Sequence, residues 1–251
     1  IIKKSQAHQQ GMIRAVRNND GKMYSASIDL GAKINDKKTC SVAAYNVANV
    51  LTGESKEIAS VNIINNHAQY VNDLTKGINT FDPDPVKTTS AILKRDDVSD
   101  SGRALFTQSA VATAPTPERQ KAYAQELSKL GNEAVNEGLA AASKSVDKSV
   151  RNEYNSCVQD AIKNYPPEKQ AAIKTAMQTG EISQSTLSQN VPTTVNSSNS
   201  QASNNSQPSS AVEGQSNSKT SSSTQQIGGR TEVSSNTATS NASKSQKTQT
   251  K

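Results

Sequence analysis

The last 61 residues, Val191 to Lys251, limit what this chain can fold into more than any motif does. They contain no Leu, Phe, Tyr, Met or Cys, while 17 Ser, 9 Thr, 7 Asn and 7 Gln fill most positions. Such a segment buries too little apolar surface to offset the entropy lost on ordering it. Residues 191–251 are therefore expected to form a long disordered C-terminal tail. The preceding 190 residues hold every aromatic, both cysteines and every methionine. Only 32% of the 251 residues are hydrophobic and 3% aromatic, against roughly 45–50% apolar in ordinary globular domains. One large core drawn from the full length is excluded. So is a bilayer-spanning helix, which needs about 18 or more consecutive apolar residues.

Charge divides in the same uneven way. The net +6 combines a basic start, a basic end and a middle near neutrality. Residues 1–38 carry eight Lys and Arg against three Asp, and the tail carries five against two Glu. Lys3, Lys4, Arg14, Arg17 and Lys22 are the candidate contacts for an anionic partner, either a membrane surface or nucleic acid phosphates. A folded nucleic-acid reader concentrates its basic charge on one face of the domain, so nucleic acid is the less supported of the two. Ile1-Ile2-Lys3-Lys4 would suit the trailing edge of a membrane helix lying upstream, with the basic flank on the cytoplasmic side.

Cys40 and Cys157 are 117 positions apart. In an oxidising compartment they could form one disulfide worth on the order of 4–5 kcal/mol in the chain-entropy model. They serve equally well as two small buried hydrophobes. A disulfide conflicts with a cytoplasmic setting, and the localisation stays open, with a cell-envelope association slightly favoured.

The hydropathy pattern predicts an α+β, mostly α-helical fold that opens on an N-terminal β-hairpin. Tyr24, Ala26, Ile28, Leu30, Ala32 and Ile34 alternate with Ser25, Ser27, Asp29, Gly31 and Lys33, the period of a half-wet strand. Asn18-Asn19-Asp20-Gly21 is strong turn chemistry, and Met12–Val16 supplies a preceding strand. The hairpin spans 11–34 within a basic segment, 1–38. Residues 39–85 read as a helical pair. Thr39 opens the first helix, and Ser55 opens a second whose stripe Ile58, Val61, Ile64, Ala68, Val71, Leu74, Ile78 and Phe81 runs about seven turns. Asp82-Pro83-Asp84-Pro85 ends it. Residues 86–116 are poorly periodic, an irregular linker with room for a short helix near 104–111. Thr116 then caps Pro117 at the first helical position. Residues 117–190 read as one long helix to Tyr165, or a helical hairpin broken at Gly131 or Gly138, followed by a short helix from Glu168 to Thr179. The apolar stripes are thin, with Ala, Ser and Val where Leu would make a firm core. They call for another surface: a neighbouring helix, a second copy of the chain, or a partner.

Chemistry is sparse. His8 and His67 are the two histidines, and with Cys40 and Cys157 they lack any zinc-site spacing. Phosphate-loop, dinucleotide, nucleophile-elbow and HExxH patterns are absent. Ser145-Val146-Asp147-Lys148 matches SxxK, four letters that a solvated helix face in a Ser- and Lys-rich chain explains. Asp96, Asp97 and Asp100 near Gly102 read as a turn, since their spacing fails the calcium-loop pattern. No catalytic, cofactor-binding or metal-binding residue is assigned. The sequence is read as a non-catalytic structural or assembly protein that binds protein partners, or itself, through helical faces. The alternative is a nucleic-acid-associated accessory protein with a basic N-terminal arm. No small-molecule substrate is indicated.

Overall fold

Side-chain caps set most of the helix starts. The computed structural model describes residues 2–189, and the expected disordered tail, 191–251, lies outside them. Among the described residues there are twelve α-helices and no strand. They are α1 (Ile2–Arg17), α2 (Gly21–Lys33), α3 (Lys37–Val50), α4 (Gly53–Asn66), α5 (Val71–Phe81) and α6 (Pro85–Leu93). Then follow α7 (Asp100–Ala112), α8 (Pro117–Leu127), α9 (Glu133–Ala142), α10 (Arg151–Ala161), α11 (Pro167–Thr179) and α12 (Gln184–Leu187). Asp20, Asp36, Asp84, Ser99, Thr116, Asn132 and Ser183 each accept a hydrogen bond from a backbone N–H three residues on, opening the helix that follows.

The N-terminal β-hairpin is wrong. The Asn18–Gly21 turn is present, with Asn19 at φ +46°, but it joins α1 to α2. Of the alternating apolar set, Ala26 is exposed and Leu30, Ala32 and Ile34 are only half-buried. The buried face of α2 is Gly21, Tyr24, Ser25, Ser27, Ile28 and Gly31, a helical stripe at spacings of three and four. Four of these six are Gly or Ser, which an apolar count passes over. The two serines tolerate burial because Ser25 Oγ and Ser27 Oγ donate to the carbonyls of Gly21 and Met23 at 2.8 and 2.9 Å.

Small residues also let other helices approach closely. The most extensive packing is α7 on α9, followed by α3 on α5. A Cβ at Gly138 would overlap the carbonyl oxygen of Ala104, and one at Gly77 the carbonyl oxygen of Tyr45. The 86–116 stretch is no irregular linker, for it holds most of α6 and all of α7, with Phe106 wholly buried. The face of α7 includes Ser101, Gly102 and Thr107, again poor in large apolar residues. The long 117–165 helix is three helices, α8, α9 and α10. α8 runs into a 3-10 turn, Ser128–Leu130, which Gly131 closes in the left-handed region at φ +63°. The 58–81 stripe is likewise interrupted. Asn65, Asn66 and His67 are weak helix formers, and the Asn65 and His67 side chains bond outside α4. Asn65 Oδ1 accepts from the Ser99 amide at 3.0 Å, and His67 Nε2 meets Asp29 Oδ1 at 2.7 Å.

Buried tyrosines close the core with their hydroxyls satisfied. Tyr24 donates to Ala43 O at 2.8 Å, Tyr123 to Asn79 Oδ1 at 2.9 Å and Tyr154 to Leu139 O at 2.7 Å. Burial holds the Tyr24 and Tyr154 phenols well above the usual range and pushes Tyr123 up to about 12. A phenol whose folded pKa exceeds its unfolded value of about 10 contributes stability below pH 10 that is lost as the pH rises. An alkaline titration is therefore expected to show a steep absorbance rise at 295 nm, between pH 10 and 12, that coincides with loss of helical circular dichroism. Ionisation of all six tyrosines while the helices stay intact would contradict this placement.

The last described helix packs on α7 and is tied to α9 by one buried carboxylate. Glu137 of α9, 3% exposed, accepts from the Ser183 amide and the Thr186 hydroxyl, fixing α12 to the body.

Candidate functional site

Two large hydrophobics are exposed among the described residues, Ile13 at 51% and Val42 at 54%. They face one groove of about 380 Å³ between α1 and α3. Met12, Ile13 and Val16 form its α1 wall, Val42 and Val50 its α3 wall, and Tyr24 of α2 lies at its base. Each wall follows helical periodicity: positions 12, 13 and 16 on α1, and 39, 42, 43, 46 and 50 on α3. Arg17 stands at the α1 rim.

The groove exists because α1 is a helix held on α2. Gly11 of α1 meets Ser27, and His8 sits fully buried in the same seam. His8 Nδ1 is hydrogen-bonded to Ser27 O, and Nε2 has no hydrogen-bond partner. Gly31 leaves room for the imidazole and for the Cys40 sulfur, since a Cβ there would lie 2.5 Å from His8 Cε1 and 2.7 Å from Cys40 Sγ. His8 is thus a packing residue that the sequence considered only as a metal ligand. With 11–34 read as a hairpin, α1 and the groove it makes were invisible.

The basic residues are dispersed. Arg14 and Arg17 are exposed one turn apart on α1, whereas Lys22 is exposed on α2 and faces a groove that contains Asp29 and Asp97. Lys3 and Lys4 lie in the first turn of α1. Neither Arg14 nor Arg17 forms an ion pair among the described residues. Their position in the last turn of α1 complements the helix dipole.

Cys40 and Cys157 are free thiols. Cys40 is buried in α3, which packs on α2, α4 and α5, and Cys157 is half-buried in α10, which packs on α8 and α9. Burial pushes the Cys40 thiol up, against the opposing pull of the Tyr70 hydroxyl, so it is a poor nucleophile. Ser145 and Lys148 fall in the turns between α9 and α10 instead of on a helix, and Ser145 Oγ donates to Ala142 O at 2.8 Å. Two of the three 96–102 carboxylates are engaged by arginines. Asp97 takes both Nε and Nη2 of Arg95 at 2.9 Å, and Asp100 meets Arg103 at 3.2 Å. Among the described residues no group of three or more His, Cys, Asp or Glu is placed to hold a metal ion, and no helix is long and apolar enough to cross a membrane. The chain matches no family model, no curated protein and no solved structure.

Proposed function

We propose that this chain is a non-catalytic interaction module that takes the apolar face of a partner protein's helix into the α1–α3 groove. The observation that carries the reading is that both exposed large hydrophobics, Ile13 and Val42, face this one groove. A continuous apolar trough with a polar rim is the usual form of a helix-binding surface. The unpaired Arg17 at the rim favours a partner helix with acidic residues beside its apolar stripe.

Photo-crosslinkers at positions 13 and 42 are expected to capture the same protein, and one at Lys174 of α11 should not. Ile13→Asp and Val42→Asp should each weaken binding of that protein by at least tenfold. Because both side chains are half-exposed, circular dichroism and Tm should stay close to the parent chain. Arg17→Glu should weaken it several-fold, more at low salt. Crosslinks confined to a second copy, or a partner indifferent to both aspartates, would sink the reading. Binding of DNA or RNA in a salt titration, lost in Arg14→Ala/Arg17→Ala, would favour the accessory role with a basic arm.

A further inference from the structure

A second groove, of about 590 Å³, lies between α6 and α8 and differs in chemistry from the apolar one. Its α6 side presents Lys87, Ser90 and Lys94, at i, i+3 and i+7 on one helical face. The two lysines are exposed and stand two turns, about 10 Å, apart along the axis. Neither forms an ion pair among the described residues. Between them Ser90 is only 2% exposed, and its hydroxyl has no hydrogen-bond partner. A buried hydroxyl left unpaired is costly and calls for an explanation. Lys129 adds a third ammonium across the groove.

Two carboxylates also line it, and both are engaged. Asp84 Oδ1 accepts from the Lys87 amide as the N-cap of α6, and Glu126 pairs with Lys129 at 3.3 Å. Counting Asp84 and Glu126 against Lys87, Lys94 and Lys129 leaves the lining at a net +1. Lys87 and Lys94 are its ammonium groups without an ion pair among the described residues, with the Ser90 hydroxyl between them.

We infer that this groove binds a linear polyphosphate chain, with Lys87 and Lys94 holding its ends and Ser90, after rotation about χ1, donating to a central oxygen. The phosphates of free polyphosphate and of a nucleoside triphosphate share this chemistry. No aromatic side chain lines the groove to stack a base, so the phosphates alone are recognised.

Titration calorimetry of the full chain with inorganic tripolyphosphate at low salt tests this. One-to-one binding is expected, weakened at least tenfold in Lys87→Ala/Lys94→Ala and unchanged in Lys144→Ala/Lys148→Ala. Ser90→Ala should weaken binding several-fold without lowering Tm, and Glu126→Gln, which frees Lys129, should tighten it. ATP should bind within about threefold of tripolyphosphate. No binding, equal loss in the two lysine pairs, or a preference for ATP beyond tenfold would overturn the assignment.

Discussion

Gly77→Ala is expected to lower stability by about 3 kcal/mol, a fall in Tm of about 6–12 °C for a chain of this size. At an exposed helical position the same change would stabilise, since Gly costs about 1 kcal/mol relative to Ala. Here the sign reverses. The added methyl meets the backbone of Tyr45, and backbone cannot swing aside as a side chain can. The α5 helix must lift from α3, whose contact is among the most extensive in the fold. Gly138→Ala, against the Ala104 carbonyl of α7, should behave alike. Thermal denaturation of the single variants decides this, and an unchanged or higher Tm would show that the helices do not cross at these glycines.

The second large effect is expected at Asn79. Its amide nitrogen donates to Ala110 O at 3.1 Å and Thr113 Oγ1 at 3.0 Å, and its Oδ1 accepts from Tyr123 at 2.9 Å. Its backbone carbonyl also accepts from Arg119. One residue of α5 thereby satisfies a carbonyl in the last turn of α7, which has no helical N–H to bond it, and the buried hydroxyl of α8. Asn79→Leu keeps the volume, removes the acceptor of the Tyr123 hydroxyl and leaves the Ala110 carbonyl only the longer bond from the Thr113 hydroxyl at 3.4 Å, at about 1–3 kcal/mol for each group. A loss of about 4 kcal/mol is expected on this basis. Tyr123→Phe alone should cost about 1–2 kcal/mol. In the double variant the losses should fall short of additivity by about 1–2 kcal/mol, because one orphan has been removed. Strict additivity in urea denaturation would mean that the two side chains do not share a bond.

These two sites show what kind of information the sequence carries. Punctuation was legible: Thr116–Pro117 starts α8, and Asp82-Pro83-Asp84-Pro85 stops α5. Each is local chemistry, complete within a few residues. Faces built from Gly, Ala and Ser were not legible, because small residues declare burial only through the partner that approaches them. Gly77 is informative beside Tyr45, 32 positions away, and silent without it. The apparent strand at 24–34 arose the same way, from alternating Ala and Ile residues while the Gly and Ser that do the packing went uncounted. The apolar groove was lost with it, since one wall is α1. The lysine groove was hidden for the complementary reason. Its residues sit in the 86–116 stretch, whose weak periodicity concealed a helix.

Glu137 has a mechanical consequence. α12 is attached through the two Glu137 bonds, its packing on α7 and the Gln189 carbonyl on the Ser101 amide, so a pull at Gln189 loads these contacts before it reaches α9. Two charge-assisted bonds anchored in a buried helix can yield and re-form while the packed helices stay in place. Tension applied at Gln189 therefore falls first on a four-residue peripheral helix, on its two latch bonds and on its seat against α7.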